Sequence, residues 1–191
     1  FSKCGWSAYE GMKLNAKELR TLPTDGERAK AIKKNSITII LDNVLDTYNI
    51  GSIFRLADAV AAEKVYLCGA TETPPNTRIK KASINTWQWV EWQYLPTTSE
   101  AIAQCKMLND KCQIVAVEQD KKSVPFQNTK YSFPIAIVVG NETNGISKEV
   151  LEKVDTIVEL PMFGINTSLN VMVTTGIILY DILRQMPSIG D

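Results

Sequence analysis

Three short segments hold the residue types that chemistry needs. The first is Asn49-x-Gly51-x-x-x-Arg55 and the second Gly140-Asn141-Glu142-x-x-Gly145. The third is Pro161-Met162-x-Gly164-x-x-x-Ser168-Leu169-Asn170-Val171. Arg55 lies among Ile53, Phe54, Leu56 and Ala57, so its guanidinium must reach a partner or snorkel to water. Two roles are open to it: an ion pair with Asp58 or Glu142, or a fork donor for a phosphate or carboxylate ligand. Glu142 can accept from a ribose hydroxyl, a backbone N–H or Arg55. Gly140 permits close approach of a ligand to the backbone. Ser168 stands where an N-cap would, its hydroxyl able to accept from an N–H two or three residues on. A helix start of that kind binds polar or anionic groups. Taken singly, each segment is equally an ordinary turn or cap.

Composition removes whole classes of chemistry. The chain of 191 residues contains no histidine, which excludes imidazole bases, Ser-His-Asp and Cys-His nucleophiles and histidine-bearing zinc sites. Cys4, Cys68, Cys105 and Cys112 form no Cys-x-x-Cys pair. They are expected to be reduced, mostly structural thiols of a cytoplasmic protein, and no metal is expected. No G-x-G-x-x-G comes after the first apolar run and no G-x-x-x-x-G-K-[ST] occurs, so dinucleotide and nucleoside-triphosphate chemistry are poorly supported. The apolar runs are too short to cross a bilayer. No secretory signal is read at the start, and a chain opening on Phe1 rather than Met is expected to lack its native start.

The elements that must position these residues emerge from the apolar pattern. Nearly all-apolar runs at 37–41, 65–68, 113–117, 135–139 and 156–160 are expected as strands. Helices are expected over 50–62, with Asn49 as N-cap, and over 99–108, 147–154 and 168–185. Strands of this kind alternating with helices imply an α/β fold with a parallel sheet covered on both faces. Ligands of such sheets bind beyond the carboxyl ends of strands, and the three polar segments all come directly after strands.

Charge is balanced overall, 21 basic against 21 acidic residues, but it is unevenly spread. Residues 1–35 carry eight basic and four acidic residues and are expected to form a helical, mildly basic arm. Residues 36–191 are expected to form one domain. Arg78, Lys80 and Lys81 form a small basic cluster, suited to phosphate contact or to a solvated face. Trp87, Trp89 and Trp92 are expected in a short extended segment, in the core or a subunit contact more than stacked on bases.

In order and with their spacing, the three segments resemble the SpoU (TrmH) branch of the SPOUT superfamily of RNA methyltransferases. The resemblance covers about residues 36–186. It implies an α/β domain whose C-terminal segment is threaded into a deep trefoil knot, S-adenosylmethionine bound in the knot loops, and a homodimer without metal or membrane. It implies methyl transfer to a ribose 2′-hydroxyl of RNA, tRNA favoured and rRNA the other candidate. Arg55 would be the catalytic arginine, with Asn49, Glu142, Ser168 and Asn170 around it. Val117, Gly140, Leu160, Met162, Ser168 and Leu169 would frame the methyl donor.

This chain departs from the family pattern in places. Asn85-Thr86 stand where many relatives carry Gly-Ala, and Leu56 follows Arg55 where a small or polar residue is commoner. The 35-residue arm is too short for the separate RNA-binding domain of some relatives. Two other functions fit parts of the pattern. A non-catalytic RNA-binding relative would have lost turnover, yet the motif residues are all present. A flavodoxin-like enzyme would need a phosphate cradle after the first strand, where Asp42-Asn43-Val44-Leu45-Asp46 is acidic.

Overall fold

The computed structural model describes residues 31–187, so nearly all of the expected arm lies outside the described residues. Seven strands form one parallel sheet. They are β1 (Asn35–Asp42), β2 (Ala62–Cys68), β3 (Trp92–Leu95), β4 (Gln113–Val117), β5 (Val124–Pro125), β6 (Ile135–Val139) and β7 (Thr156–Glu159). Their order across the sheet is β3-β2-β1-β6-β4-β7-β5. Four α-helices lie between them, α1 (Thr47–Ala59), α2 (Thr77–Ser83), α3 (Thr98–Leu108) and α4 (Lys148–Leu151), and α5 (Val171–Gln185) follows β7.

The strands read as continuous apolar runs because the sheet is buried on both faces. Successive side chains of β1 go to opposite sides: Ile37, Ile39 and Leu41 pack with α1, α2 and α5, whereas Ile40 packs with α3 and α4. The α/β architecture is therefore the expected one. After β7 the chain passes the β4 end, where Gln119 Nε2 donates to the Thr167 carbonyl, and then enters α5 against α1.

Several local expectations are corrected. Helix α1 starts three residues early because Asp46, in extended conformation, accepts from Tyr48 N and takes the capping role assigned to Asn49. Helix α5 starts at Val171, capped by Asn170 rather than Ser168. The expected extended tryptophan segment is divided: Trp87 lies in a 3-10 turn (Thr86–Gln88), Trp92 opens β3, and Trp89 Nε1 donates to Asp58. Helix α2 and strands β3 and β5 had no place among the expected elements. α2 has few apolar residues, and β5 is a two-residue edge strand that tolerates a proline.

Two departures from the family pattern find physical reasons. Asn85 has φ 68°, a left-handed conformation that glycine adopts freely and asparagine tolerates better than other side chains. Leu56 reaches across to α5, where a Cβ on Gly176 would meet its Cδ2 at 3.4 Å.

Candidate active site

The carboxyl ends of β4, β6 and β7 and the segment before α5 enclose a cavity of about 470 Å³. Its apolar wall is Val117, Val139, Leu160, Met162, Leu169 and Val171. Glu118, Glu142 and Glu159 line it as well, and its lining contains no lysine or arginine. All six residues expected to frame a methyl donor, Val117, Gly140, Leu160, Met162, Ser168 and Leu169, line this one cavity. Of the five expected catalytic residues, Glu142, Ser168 and Asn170 line it too.

Asn49 reaches the same place through side-chain bonds. Its Nδ2 donates to Glu142 Oε1 at 2.9 Å, and its Oδ1 accepts from Asn170 Nδ2 at 3.0 Å. Having lost the cap to Asp46, this side chain, on a residue 5% exposed, ties the first, second and third motifs together. Glu142 also accepts from the backbone N–H of Leu45 and of Asp46. Partial desolvation pushes its carboxyl pKa up, but the Asn49 bond and the backbone N–H groups overcome that and hold it below the ordinary value. Glu142 is thus a carboxylate acceptor at neutral pH and a weak base. It clamps the α1 entrance to the β6 loop.

Arg55 stands apart. It lies exposed on α1, outside the cavity lining, and among the described residues it makes no hydrogen bond or ion pair. The ion pairs open to it in the sequence do not form: Asp58 accepts from Trp89, and Glu142 is taken by Asn49 and backbone. Arg55 follows Asn49 by six residues, about 9 Å along the helix and about 240° around it, so the two side chains leave α1 in different directions.

Two motif glycines serve close packing. A Cβ on Gly51 would come within 2.6 Å of Ala82 Cβ and 2.7 Å of the Ile79 carbonyl oxygen, so this glycine seats α1 on α2. A Cβ on Gly140 would come within 2.5 Å of the Gly145 carbonyl carbon. Gly140 therefore lets the 140–145 loop close on itself, where Asn141 and Gly145 exchange backbone bonds. Gly140 also lines the cavity, as the expected close approach of a ligand to its backbone requires. Gly145, at φ +64°, leaves room for Glu118, whose carboxylate accepts from Ile146 N and Gln119 N. Glu118 and Glu159 were missed in the sequence. The signal was available, because Glu118 directly follows β4 and Glu159 ends β7.

The chemistry of the lining can be tested against S-adenosylmethionine. Cavities of about 300–1,000 Å³ hold ligands of this size. From Met162 to Leu169 the backbone N–H groups donate to no partner among the described residues, leaving them for an adenine edge or a carboxylate. Acidic residues without a competing cation suit a positively charged sulfonium. The residues present fit the group.

The SpoU rRNA Methylase family model matches residues 36–180. The chain belongs to this family. It is 35% identical over 164 residues to the tRNA (guanosine(18)-2'-O)-methyltransferase of Aquifex aeolicus, covering 83% of this chain and 74% of that one. The crystal structure of the A. aeolicus TrmH/SpoU tRNA modifying enzyme superposes with a TM-score of 0.73 at 32% identity, covering 89% of this chain and 81% of that one. The AdoMet-bound rRNA methyltransferase of Sinorhizobium meliloti gives a TM-score of 0.73 at 27% identity, covering 84% of this chain and 61% of that one. Membership of the SpoU family sets the flavodoxin-like alternative aside. Among the described residues no group of three or more His, Cys, Asp or Glu could hold a metal, and no helix is long and apolar enough to cross a membrane.

Proposed function

We propose that this SpoU-family protein transfers the methyl group of S-adenosylmethionine to a ribose 2′-hydroxyl of RNA, with tRNA the favoured substrate. The observation that carries this is the convergence of Gly140, Leu160, Met162, Ser168 and Leu169 on one cavity free of basic residues. The A. aeolicus relative, named a tRNA 2'-O-methyltransferase, and the AdoMet-bound S. meliloti structure support substrate class and donor. Residues 36–191 are assigned as the methyltransferase domain and 1–35 as an arm.

S-adenosylmethionine supplies an electrophilic methyl carbon on a sulfonium. Leu160, Met162 and Leu169 would hold its apolar parts, and the free N–H groups of 162–169 its polar ones. Ser168 and Asn170 stand at the cavity wall, where a hydroxyl and an amide can orient the incoming ribose. The 2′-hydroxyl must lose its proton as the methyl arrives. The guanidinium of Arg55, with a pKa above about 12, is a poor base. We assign it instead as a fork that fixes the RNA phosphate and steadies the charge developing on the hydroxyl oxygen. The proton leaves to the phosphate or to water.

We further propose a homodimer in which Arg55 of one copy serves the cavity of the other. Arg55 does not line its own cavity. Beside that cavity Leu169, Val173, Ile177 and Tyr180 are exposed apolar residues, the last three on one stripe of α5. Phe163 and Ile165 are 96% and 101% exposed on the adjoining loop. A second copy covering this stripe is the occupant that would complete the site. We place the protein in the cytoplasm; the buried free thiols Cys68, Cys105 and Cys112 support a reducing compartment.

The experiment is transfer of labelled methyl from S-adenosylmethionine to tRNA, then mapping of the modified ribose. Arg55→Ala is expected to abolish transfer with donor binding intact, and Arg55→Lys to retain only a small fraction. Mixing Arg55→Ala with Asn170→Ala protein should restore part of the activity through mixed dimers. Undiminished transfer by Arg55→Ala rejects the clamp, and absence of donor binding by the parent protein favours the non-catalytic RNA-binding alternative.

A further inference from the structure

The face of the sheet that carries Arg55 is laid out in three helices, with α1 in contact with α2 on one side and α5 on the other. α5 presents an apolar stripe. α2 presents cations: Arg78, Lys80 and Lys81 are all exposed. Among the described residues neither the Arg78 nor the Lys80 side chain makes a hydrogen bond or ion pair.

Among the described residues, four acids of this face already hold hydrogen-bond partners. Asp46 caps α1, Asp58 accepts from Trp89, Asp181 holds Arg184 and Gln185, and Glu72 accepts from Asn76. On the other face the pattern reverses, for Lys106 is paired with Asp155 and Lys153 with Glu149. Among the described residues Arg78 and Lys80 are therefore cations without a carboxylate partner, on the helix next to Arg55.

α2 is also built to hold its place. Asn76 caps it, accepting from Arg78 N and Ile79 N. Ile79 is fully buried, and Gly51 admits Ala82 into van der Waals contact with α1. The turn leading to α2 is tied to the carboxyl-end rim, where Thr71 Oγ1 accepts from Val44 N and donates to the Leu41 carbonyl. The cations are thus fixed relative to α1 and to the rim where the cavity opens.

We propose that the exposed cationic face of α2, Arg78 and Lys80 with Lys81 beside them, docks the phosphate backbone of the RNA substrate. This rests on the RNA methyltransferase assignment and names the surface that positions the substrate. Phosphate contacts release counterions, so each one contributes about 0.7–0.9 to the slope of log affinity against log salt. They fix the position of the RNA and carry no base sequence information.

The test is the affinity of the full-length protein for an unmodified tRNA transcript between 50 and 200 mM salt, beside steady-state methyl transfer. Arg78→Ala/Lys80→Ala is expected to lower the slope by about 1.5. It should raise KM for RNA while leaving kcat and donor affinity near those of the parent. A charge-matched control, Lys111→Ala/Lys130→Ala, changes exposed lysines at the opposite rim, before β4 and β6, and should leave the slope unchanged. An unchanged slope in the α2 variant overturns the proposal, as does an equal loss in the control, which would reduce the effect to net charge. If the parent methylates tRNA while either result is found, only the docking surface falls; if the parent methylates no RNA, the activity falls and this surface with it.

Discussion

Asn49 and Asn170, 121 residues apart, share a hydrogen bond of 3.0 Å, and the other end of the Asn49 amide holds Glu142 at 2.9 Å. One amide thereby joins the starts of α1 and α5 to the loop after β6. Each end of the amide is used according to its chemistry: the NH₂ faces a carboxylate and the carbonyl accepts from an amide.

Asn49→Ala removes a donor and an acceptor at once and leaves Glu142 and Asn170 short of a partner. A loss of about 1–3 kcal/mol in urea unfolding is expected. Asn49→Asp sets a carboxylate against Glu142 and should cost more near neutral pH than at pH 4, where protonation relieves the repulsion. Equal cost at both pH values would contradict the geometry.

Glu142 sets a pH dependence of definite sign. Its folded pKa lies below its unfolded one, so the unfolded chain binds the extra proton in the window between them. Its contribution is complete above the ordinary carboxylate pKa of about 4.3 and is lost as pH falls through the lower folded value. Glu142→Gln should therefore flatten the acid limb of the stability curve and leave its neutral-pH slope untouched. Equilibrium unfolding from pH 3 to 7 measures this, and a parallel acid limb in the variant would count against it.

Gly51→Ala forces a methyl against Ala82 Cβ and the Ile79 carbonyl. Overpacking of this kind costs about 1–3 kcal/mol. Adding Ala82→Gly should recover part of the loss, since it vacates one of the two contacts. Because α2 rides on α1, the single variant should also weaken tRNA binding more than donor binding. A Gly51→Ala protein as stable as the parent would show that the helices are less closely seated.

Much of the site was open to sequence reasoning because of how parallel sheets are built. Strands buried on both faces lack polar residues, so β1, β4 and β6 announce themselves, and the segments at their carboxyl ends share one rim. That logic put the segments at Gly140 and Leu160 on one rim in advance, and the family resemblance added Val117. Choices between equivalent groups stayed hidden. Asp46 and Asn49 are both good caps, as are Ser168 and Asn170, and only the surrounding bonds select one of each. The glycines behaved likewise. Nothing in the sequence showed what Gly51 and Gly140 pack against, and the atoms that demand them belong to Ala82, Ile79 and Gly145.

From residue order alone came the α/β class, the exclusion of histidine chemistry and the three segments that identify the SpoU family. These depend on composition, period and spacing, which are properties of the chain itself. Tertiary structure decided which side chain caps, which clamps and which stands free. It turned Asn49 from a cap into a bridge, made Glu142 a low-pKa acceptor, and set Arg55 outside the cavity of its own chain. Those outcomes depend on which groups meet across about a hundred residues of intervening sequence, where hydrogen bonds and contacts compete for the same partners.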